Sequence, residues 1–220
     1  MIEHPNKNKR IVDLTLPLYP GMRGVAFEPK YHYAEHGWNA QTYHLYSHCG
    51  THLDAPNHYE INEKSVADWP LERLMGLAWV VNIYGIAPRS LIRVEHLGDV
   101  VDQFQAGESL LLNTGWGEKV DSPEYRDALP RISKELALWC AKHGVNMLGV
   151  EPPAVADPNN RKEIQSIHKI LLGADIIIVE GLCNLNQLQH AKVHFIALPL
   201  KIVDGDGSPV RALAIEMDEI

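Results

Sequence analysis

No apolar run in this 220-residue chain reaches the ~20 residues that a membrane-spanning helix needs. Residues 1–10 carry charge with no apolar segment after them, which excludes the pattern of a secretory leader. Cysteine is scarce. Cys49, Cys140 and Cys183 stand far apart without a CxxC pair, which argues against a disulfide framework and fits a reducing cytoplasm. Positive charge is short as well. Lys and Arg number 20 against 28 Asp and Glu, a net charge of −8, and no basic cluster offers nucleic acid a footing. Internal repeats and low-complexity linkers are missing. What remains is 45% hydrophobic and 22% charged, as in a soluble globular protein. One hydrophobic core serves a chain of this length, so residues 1–220 are expected to form a single domain.

Apolar runs rich in β-branched residues recur at 11–16, 79–84, 110–114, 147–150, 176–180, 193–202 and 210–215, and these read as strands. The clearest helix spans 133–143. Ser133 is placed to cap it, and Leu136, Trp139, Cys140 and His143 share one face. Gly144 follows as a terminator. A shorter helix is expected over 163–172, ending at Gly173, and a helical turn over 68–74. Strands outnumber helices, so simple βαβ alternation is not expected. A sheet curled into a barrel-like shape, with helices packed outside it, fits the α/β pattern better.

Chemistry concentrates in His48-Cys49-Gly50-Thr51-His52-Leu53-Asp54-Ala55-Pro56-Asn57-His58, where four of eleven residues offer a metal an imidazole or a carboxylate. Imidazole with carboxylate suits Zn²⁺, Mn²⁺ or Fe²⁺. His48, His52, Asp54 and His58 all fall on even positions, so an extended chain shows them on one face, with His44 beside them. In a straight strand His48 and His52 would lie ~13 Å apart. Ligands of one metal need their donor atoms about 3–4 Å apart, so the chain must bend. Gly50 permits the bend, while Gly50, Thr51 and Pro56 together disfavour a helix. Twelve histidines in the chain make some clustering a matter of chance, and His44 alone reads as an ordinary surface residue. Three ligands leave an open position, where a metal acidifies water towards pH ~7 and polarises a carbonyl. His58, past Pro56 on a separate bend, is placed to move protons.

A second cluster stands downstream. His168 sits on the shorter helix, and Glu180 closes an apolar strand, where a carboxylate is costly unless paired or metal-bound. Glu151 is another acid at a strand end, followed by Pro152 and Pro153 as a rigid loop and candidate pocket wall. Tyr19, Trp38, Tyr59 and Trp69 are candidate linings for an aromatic-binding pocket, though core packing explains any one of them as well.

Together these residues resemble the cyclase family of metal-dependent hydrolases, the kynurenine formamidase-like proteins. The family motif H-x-G-T-H-x-D-A-P-x-H matches His48 to His58 at every fixed position. Residues 11–16 look like the family's opening strand, Leu110–Trp116 like its central strand and turn, and His168, Glu180 and 182–185 like its C-terminal ligand segment. The resemblance implies that His48, His52 and Asp54 hold one metal and that Asp54 bridges to a second held by His168 and Glu180. It also implies His58 as general acid/base, zinc or manganese as one or two ions per subunit, and a homodimer or homotetramer. The implied fold is of the swivelling β/β/α type. The implied substrate is a small aromatic or cyclic molecule, with N-formylkynurenine of tryptophan catabolism as the leading case and isatin-type lactams or lactones as the alternative. This chain departs from the family pattern at Arg23-Gly24-Val25-Ala26-Phe27, at Glu151-Pro152-Pro153 and at Gly181-Leu182. Such loops shape a pocket, so the ligands survive these changes while substrate identity stays open.

Two other classes fit part of the pattern. His52, Asp54 and a distant His resemble the facial triad of non-haem iron oxygenases, but leave His48 and His58 without a role. A non-catalytic structural metal site generally encloses its ion with four ligands, often cysteine. Here Cys49 alternates away from His48, and the set is rich in carboxylate.

Overall fold

A computed structural model describes residues 9–217; most of the N-terminal stretch 1–10 lies outside the described residues. In chain order the strands and α-helices are β1 (Lys9–Asp13), β2 (Val25–Tyr31), α1 (Tyr33–His36), β3 (Ala40–Leu45), β4 (His52–Asp54), β5 (Met75–Asn82), β6 (Leu91–Ile92), α2 (Val100–Gln103), β7 (Ser109–Asn113), α3 (Glu124–Asp127), β8 (Arg131–Ile132), α4 (Lys134–His143), β9 (Met147–Val150), α5 (Arg161–Gly173), β10 (Ile177–Glu180), β11 (Lys192–Pro199) and β12 (Gly207–Met217). Strands β5, β7, β9 and β10 run parallel. β11 joins β5 antiparallel on one side, and β4 joins β10 antiparallel on the other. The eleven-residue β12 then closes the ring, pairing β11 along one edge and β4 at the start of the other, while β1 extends that second edge. The sheet is thus a seven-strand closed barrel, as the sequence pattern led us to expect.

Strand alternation divides the hydrophobic residues into two layers. Leu53, Ala78, Leu111, Met147, Ile177, Val179, Phe195 and Ala212 fill the barrel interior. Leu110, Leu112, Leu148, Val150 and Ile178 point outward and meet α4 and α5 through Leu136, Ala137, Cys140, Ile167 and Leu171. The parallel strands therefore bury both faces, which is why they read as continuous apolar runs.

Ser133 caps α4 by accepting from the Leu136 N–H, and Gly144 ends it at φ +69°. α5 begins two residues before the expected 163, because the Asn160 side chain accepts from the Glu163 N–H and starts the helix there. The turn expected over 68–74 divides into two short 3-10 turns, Val66–Asp68 and Leu71–Arg73, with Pro70 between them. β2 and β3 form a separate two-stranded arm that was not foreseen as a hairpin. No helix among the described residues is long and apolar enough to cross a membrane.

Candidate metal centre

Three residues of β4 set the geometry. Leu53 points into the barrel core, so His52 and Asp54 point outward, towards α5. β4 pairs with β10 so that His52 lies opposite Glu180. Glu180 has the parity of the outward-facing Ile178 and emerges on the same side. His168, on the buried face of α5 with Ile167, Leu171 and Leu172, comes in from the helix layer. Chain positions 52, 54, 168 and 180 thereby converge.

The bend required between His48 and His52 is present. Gly50 sits at φ +58°, and a Cβ there would come within 2.5 Å of Leu18. The Thr51 hydroxyl clamps the turn, donating to the Gly181 carbonyl at 2.5 Å and accepting from the Leu16 N–H at 2.8 Å. Gly181 itself has φ +69°, and a Cβ there would collide with the Gly50 carbonyl, so this departure from the family pattern is a close backbone contact. Pro56 starts a 3-10 turn over Pro56–Tyr59, which carries His58 back over His48 with ring centroids 4.0 Å apart.

His48 Nδ1 lies 2.8 Å from Asp54 Oδ1. His52 Nε2 lies 3.6 Å from the same Asp54 oxygen and 3.3 Å from Glu180 Oε2. His168 Nε2 lies 3.5 Å from Asp54 Oδ2 and 3.5 Å from Glu180 Oε1. The other nitrogens of two rings are tied to backbone: His52 Nδ1 is 3.0 Å from the Gly50 carbonyl and His168 Nδ1 is 2.7 Å from the Ile164 carbonyl. Such contacts fix the tautomer and aim Nε2 at the carboxylates. Three possible donor sets result among the described residues: His48–His52–Asp54 and Asp54–His168–Glu180, which share Asp54, and His48–His58–Asp206.

His52, Asp54, His168 and Glu180 are all buried, and the charges hold one another in place. Burial would raise the pKa of Asp54, but His48 and His168 hold it well below the usual carboxylate range. Burial and the Asp54 charge would raise Glu180, but His168 and His52 pull it down. Burial opposes charge on the imidazoles too. The carboxylates prevail, pushing His48 up to about 9 and His168 up to about 10, and raising His52. His58 differs: burial lowers it below 6.5, and Asp54 only partly offsets this.

The structure separates the remaining candidates. His44 lies on the exposed arm, 3.1 Å from Glu28, away from the cluster. Glu151 is buried but turned to the loop that follows β7, where one oxygen accepts from the Thr114 N–H and hydroxyl at 2.7 Å each and from the Trp116 N–H at 3.2 Å. Pro153, Tyr19 and Tyr59 line an open cleft of about 700 Å³ whose floor is the cluster. Trp38 stands on the arm, and Trp69 is buried in the barrel core. Asp206 was missed. Its Oδ2 lies 3.0 Å from His48 Nε2 and 3.3 Å from His58 Nδ1, linking the two rings. Its only sequence signal is the loop Asp204-Gly205-Asp206-Gly207 ahead of β12.

Buried imidazoles and carboxylates grouped at the floor of an open cleft, on the outside of a curled sheet, define a candidate metal-dependent hydrolase. The sequence profile described as putative cyclase matches residues 12–157. The kynurenine formamidase of Salinibacter ruber is 35% identical over 175 residues, 80% of this chain and 79% of that protein. That of Geobacillus thermodenitrificans is 31% identical over 207 residues, 94% of each. Isatin hydrolase A from Ralstonia solanacearum has the same fold at a TM-score of 0.82 and 25% identity, covering 94% of this chain and 92% of its own. The chain belongs to the cyclase family.

Proposed function

We propose that this protein is a metal-dependent hydrolase that opens a formamide or cyclic amide on a small aromatic substrate, with N-formylkynurenine as the leading candidate. The observation that carries this reading is a pair of buried atoms in the middle of the cluster, His52 Nε2 and Asp54 Oδ2, that make no hydrogen bond although Glu180 and His168 stand 3.3 Å and 3.5 Å from them. Orphaned polar atoms are costly inside a protein. A divalent cation satisfies both, and the nitrogen–oxygen donor set suits zinc or manganese. His48, His52 and Asp54 would hold one ion, with His168 and Glu180 joining Asp54 around a second. Bound there, the ion supplies Lewis acidity, which acidifies water and polarises a carbonyl.

The remaining work falls to the chain. His58 is the least basic imidazole of the cluster, so it is neutral at pH 7 and free to accept a proton. With Nδ1 beside Asp206, Nε2 is the atom that takes the proton from water and returns it to the leaving nitrogen. Tyr59 stacks on His168 with centroids 4.5 Å apart, and both line the cleft. Tyr19 and Tyr59 offer aromatic faces to the substrate. The protein would act in the cytoplasm as a homodimer or homotetramer.

A second reading, a ring-opening hydrolase of isatin-type lactams or lactones, draws on the likeness to isatin hydrolase A. The test is metal content by mass spectrometry, then turnover of N-formylkynurenine, isatin and small lactones by the loaded protein. Metal-dependent turnover of N-formylkynurenine is expected, and turnover of isatin alone selects the second reading. Turnover under anaerobic conditions without a co-substrate rejects an oxygenase. No turnover of any of them by fully metallated protein overturns the hydrolytic reading.

A further inference from the structure

The cleft above the cluster holds about 700 Å³, room for a drug-sized molecule and more than the reacting amide needs. Charge on its wall decides what else a ligand must carry. Asp54 and Glu180 are taken by the imidazoles of the cluster. Asp121 accepts from the Tyr19 hydroxyl. Asp127 lies 2.7 Å from Arg126 Nη1, so those two charges answer each other. Arg23 lines the same cleft and is exposed. Among the described residues its guanidinium has no hydrogen bond and no ion pair, which makes it the one formal charge of the lining without a partner.

The backbone of Arg23 is fixed although its side chain is free. The Tyr46 N–H donates to the Gly24 carbonyl at 2.8 Å, and the Cys49 N–H to the Tyr46 carbonyl at 3.1 Å. Gly24 sits at φ +78°, where a Cβ would come within 2.7 Å of the Tyr46 Cβ and 3.4 Å of the Cys49 Cβ. On the other side, the Met22 Sδ stands 3.7 Å from the place that a Cβ on Gly50 would take. Both neighbours of Arg23 therefore rest on the bend that carries His48, so its long side chain starts beside that bend and ends in the cleft. A chain of net charge −8 repels anions at long range. An unpaired cation on the cleft wall offsets this for one ligand chemistry, since a planar guanidinium meets a carboxylate with two parallel hydrogen bonds, stronger than those between neutral groups.

We propose that Arg23 is a specificity-determining residue that receives a carboxylate lying away from the scissile amide, so that the preferred substrate is an N-acyl aromatic amine with an anionic side arm. This rests on the hydrolytic reading and narrows it: N-formylkynurenine has such a carboxylate, and isatin and simple lactones have none. Arg23 opens the segment Arg23-Gly24-Val25-Ala26-Phe27, where the chain departs from the family pattern, so the preference is this chain's own. A carboxylate remote from the reacting bond does not change during the reaction. Its contact stabilises ground and transition states alike and is read in KM more than in kcat.

N-formylkynurenine and its carboxamide, alike in shape and different in that charge, test the assignment with zinc-loaded protein. The wild type is expected to favour the acid about tenfold in kcat/KM, through a lower KM, and to lose part of that preference in high salt. Arg23→Gln brings the ratio of acid to amide close to one, and Arg23→Lys restores part of it. The side chain is exposed, so the fold should survive both changes. Wild type that treats acid and amide alike overturns the role of Arg23 and leaves hydrolysis standing. A glutamine variant that keeps the preference, or that slows both substrates equally, overturns it as well. Failure of the hydrolytic reading looks different, with neither compound turned over by fully metallated protein. Calorimetry with kynurenine and kynurenine amide then decides. Tighter binding of kynurenine by about tenfold, lost in Arg23→Gln, retains the carboxylate site, and equal binding or none by the wild type overturns it.

Discussion

Replacing Asp54 by Asn keeps the shape of the side chain and removes the charge on which His48, His52 and His168 converge. In metal-free protein the cost is readable from His48, raised from 6.5 to about 9 against burial, chiefly by Asp54 and secondarily by Asp206. A folded-state pKa above the unfolded one stabilises fully below about pH 6.5, and that stability disappears as pH rises through about 9. At ~1.4 kcal/mol per pH unit the whole effect on His48 is about 3 kcal/mol. Asp54 shows the same contact from the other side. Its depressed pKa contributes stability above about pH 4 that is lost as pH falls. The Asn variant in a chelator is therefore expected to lose about 2–3 kcal/mol near pH 6 and clearly less near pH 10, where His48 has lost its proton and His168 is about half protonated. Urea unfolding at the two pH values, with the slope checked for constancy, measures this. An equal loss at both pH values would mean that packing, and not charge, is what Asp54 provides. Adding zinc should stabilise the wild type, release protons and shift the variant far less.

Three further substitutions probe neighbouring atoms. His58→Ala should leave metal content intact and slow hydrolysis by roughly 10²–10⁴-fold, measured as kcat beside metal analysis; unchanged turnover removes His58 from the proton path. Asp206→Asn should cost about 10–100-fold in metal affinity or turnover, because the contact to His48 Nε2 and His58 Nδ1 loses its charge; chelator competition reads the first and kcat the second. Gly207→Ala brings a methyl within 2.6 Å of His48 Cε1, so the ring must move. Metal should bind more weakly while the unfolding midpoint stays near that of the wild type, and unaltered metal affinity would show that the ring is free to shift.

What could be read in advance follows from how local the signals are. The parallel strands and α4 announced themselves through apolar runs, Ser133 and Gly144, all of which act within a few residues. The bend at Gly50 was legible because two imidazoles on a straight strand cannot reach one another. The start of α5 was misplaced because its cap, Asn160, lies outside the apolar periodicity used to find the helix. The expectation that His44 shares a face with the cluster failed for a related reason. Even spacing binds residues to one face only while the strand continues, and the chain leaves β3 at Leu45 and turns before β4 begins. Asp206 was invisible because its partners are 158 and 148 positions away, and nothing within its own Gly-flanked loop marks it.

β4 ties the fold to the centre. It is three residues long, yet it closes the barrel by pairing with β10 on one edge and β12 on the other. Its alternation sends Leu53 into the interior and His52 and Asp54 out to the cleft. A slip of one residue would exchange those faces, burying His52 and Asp54 in the barrel and exposing a leucine. The β10 pairing holds His52 opposite Glu180, and the β12 pairing holds Asp54 opposite Gly207, the residue beside Asp206. The register that shuts the barrel is therefore the register that assembles the cluster. Residues from three distant segments meet because the sheet has no other way to close.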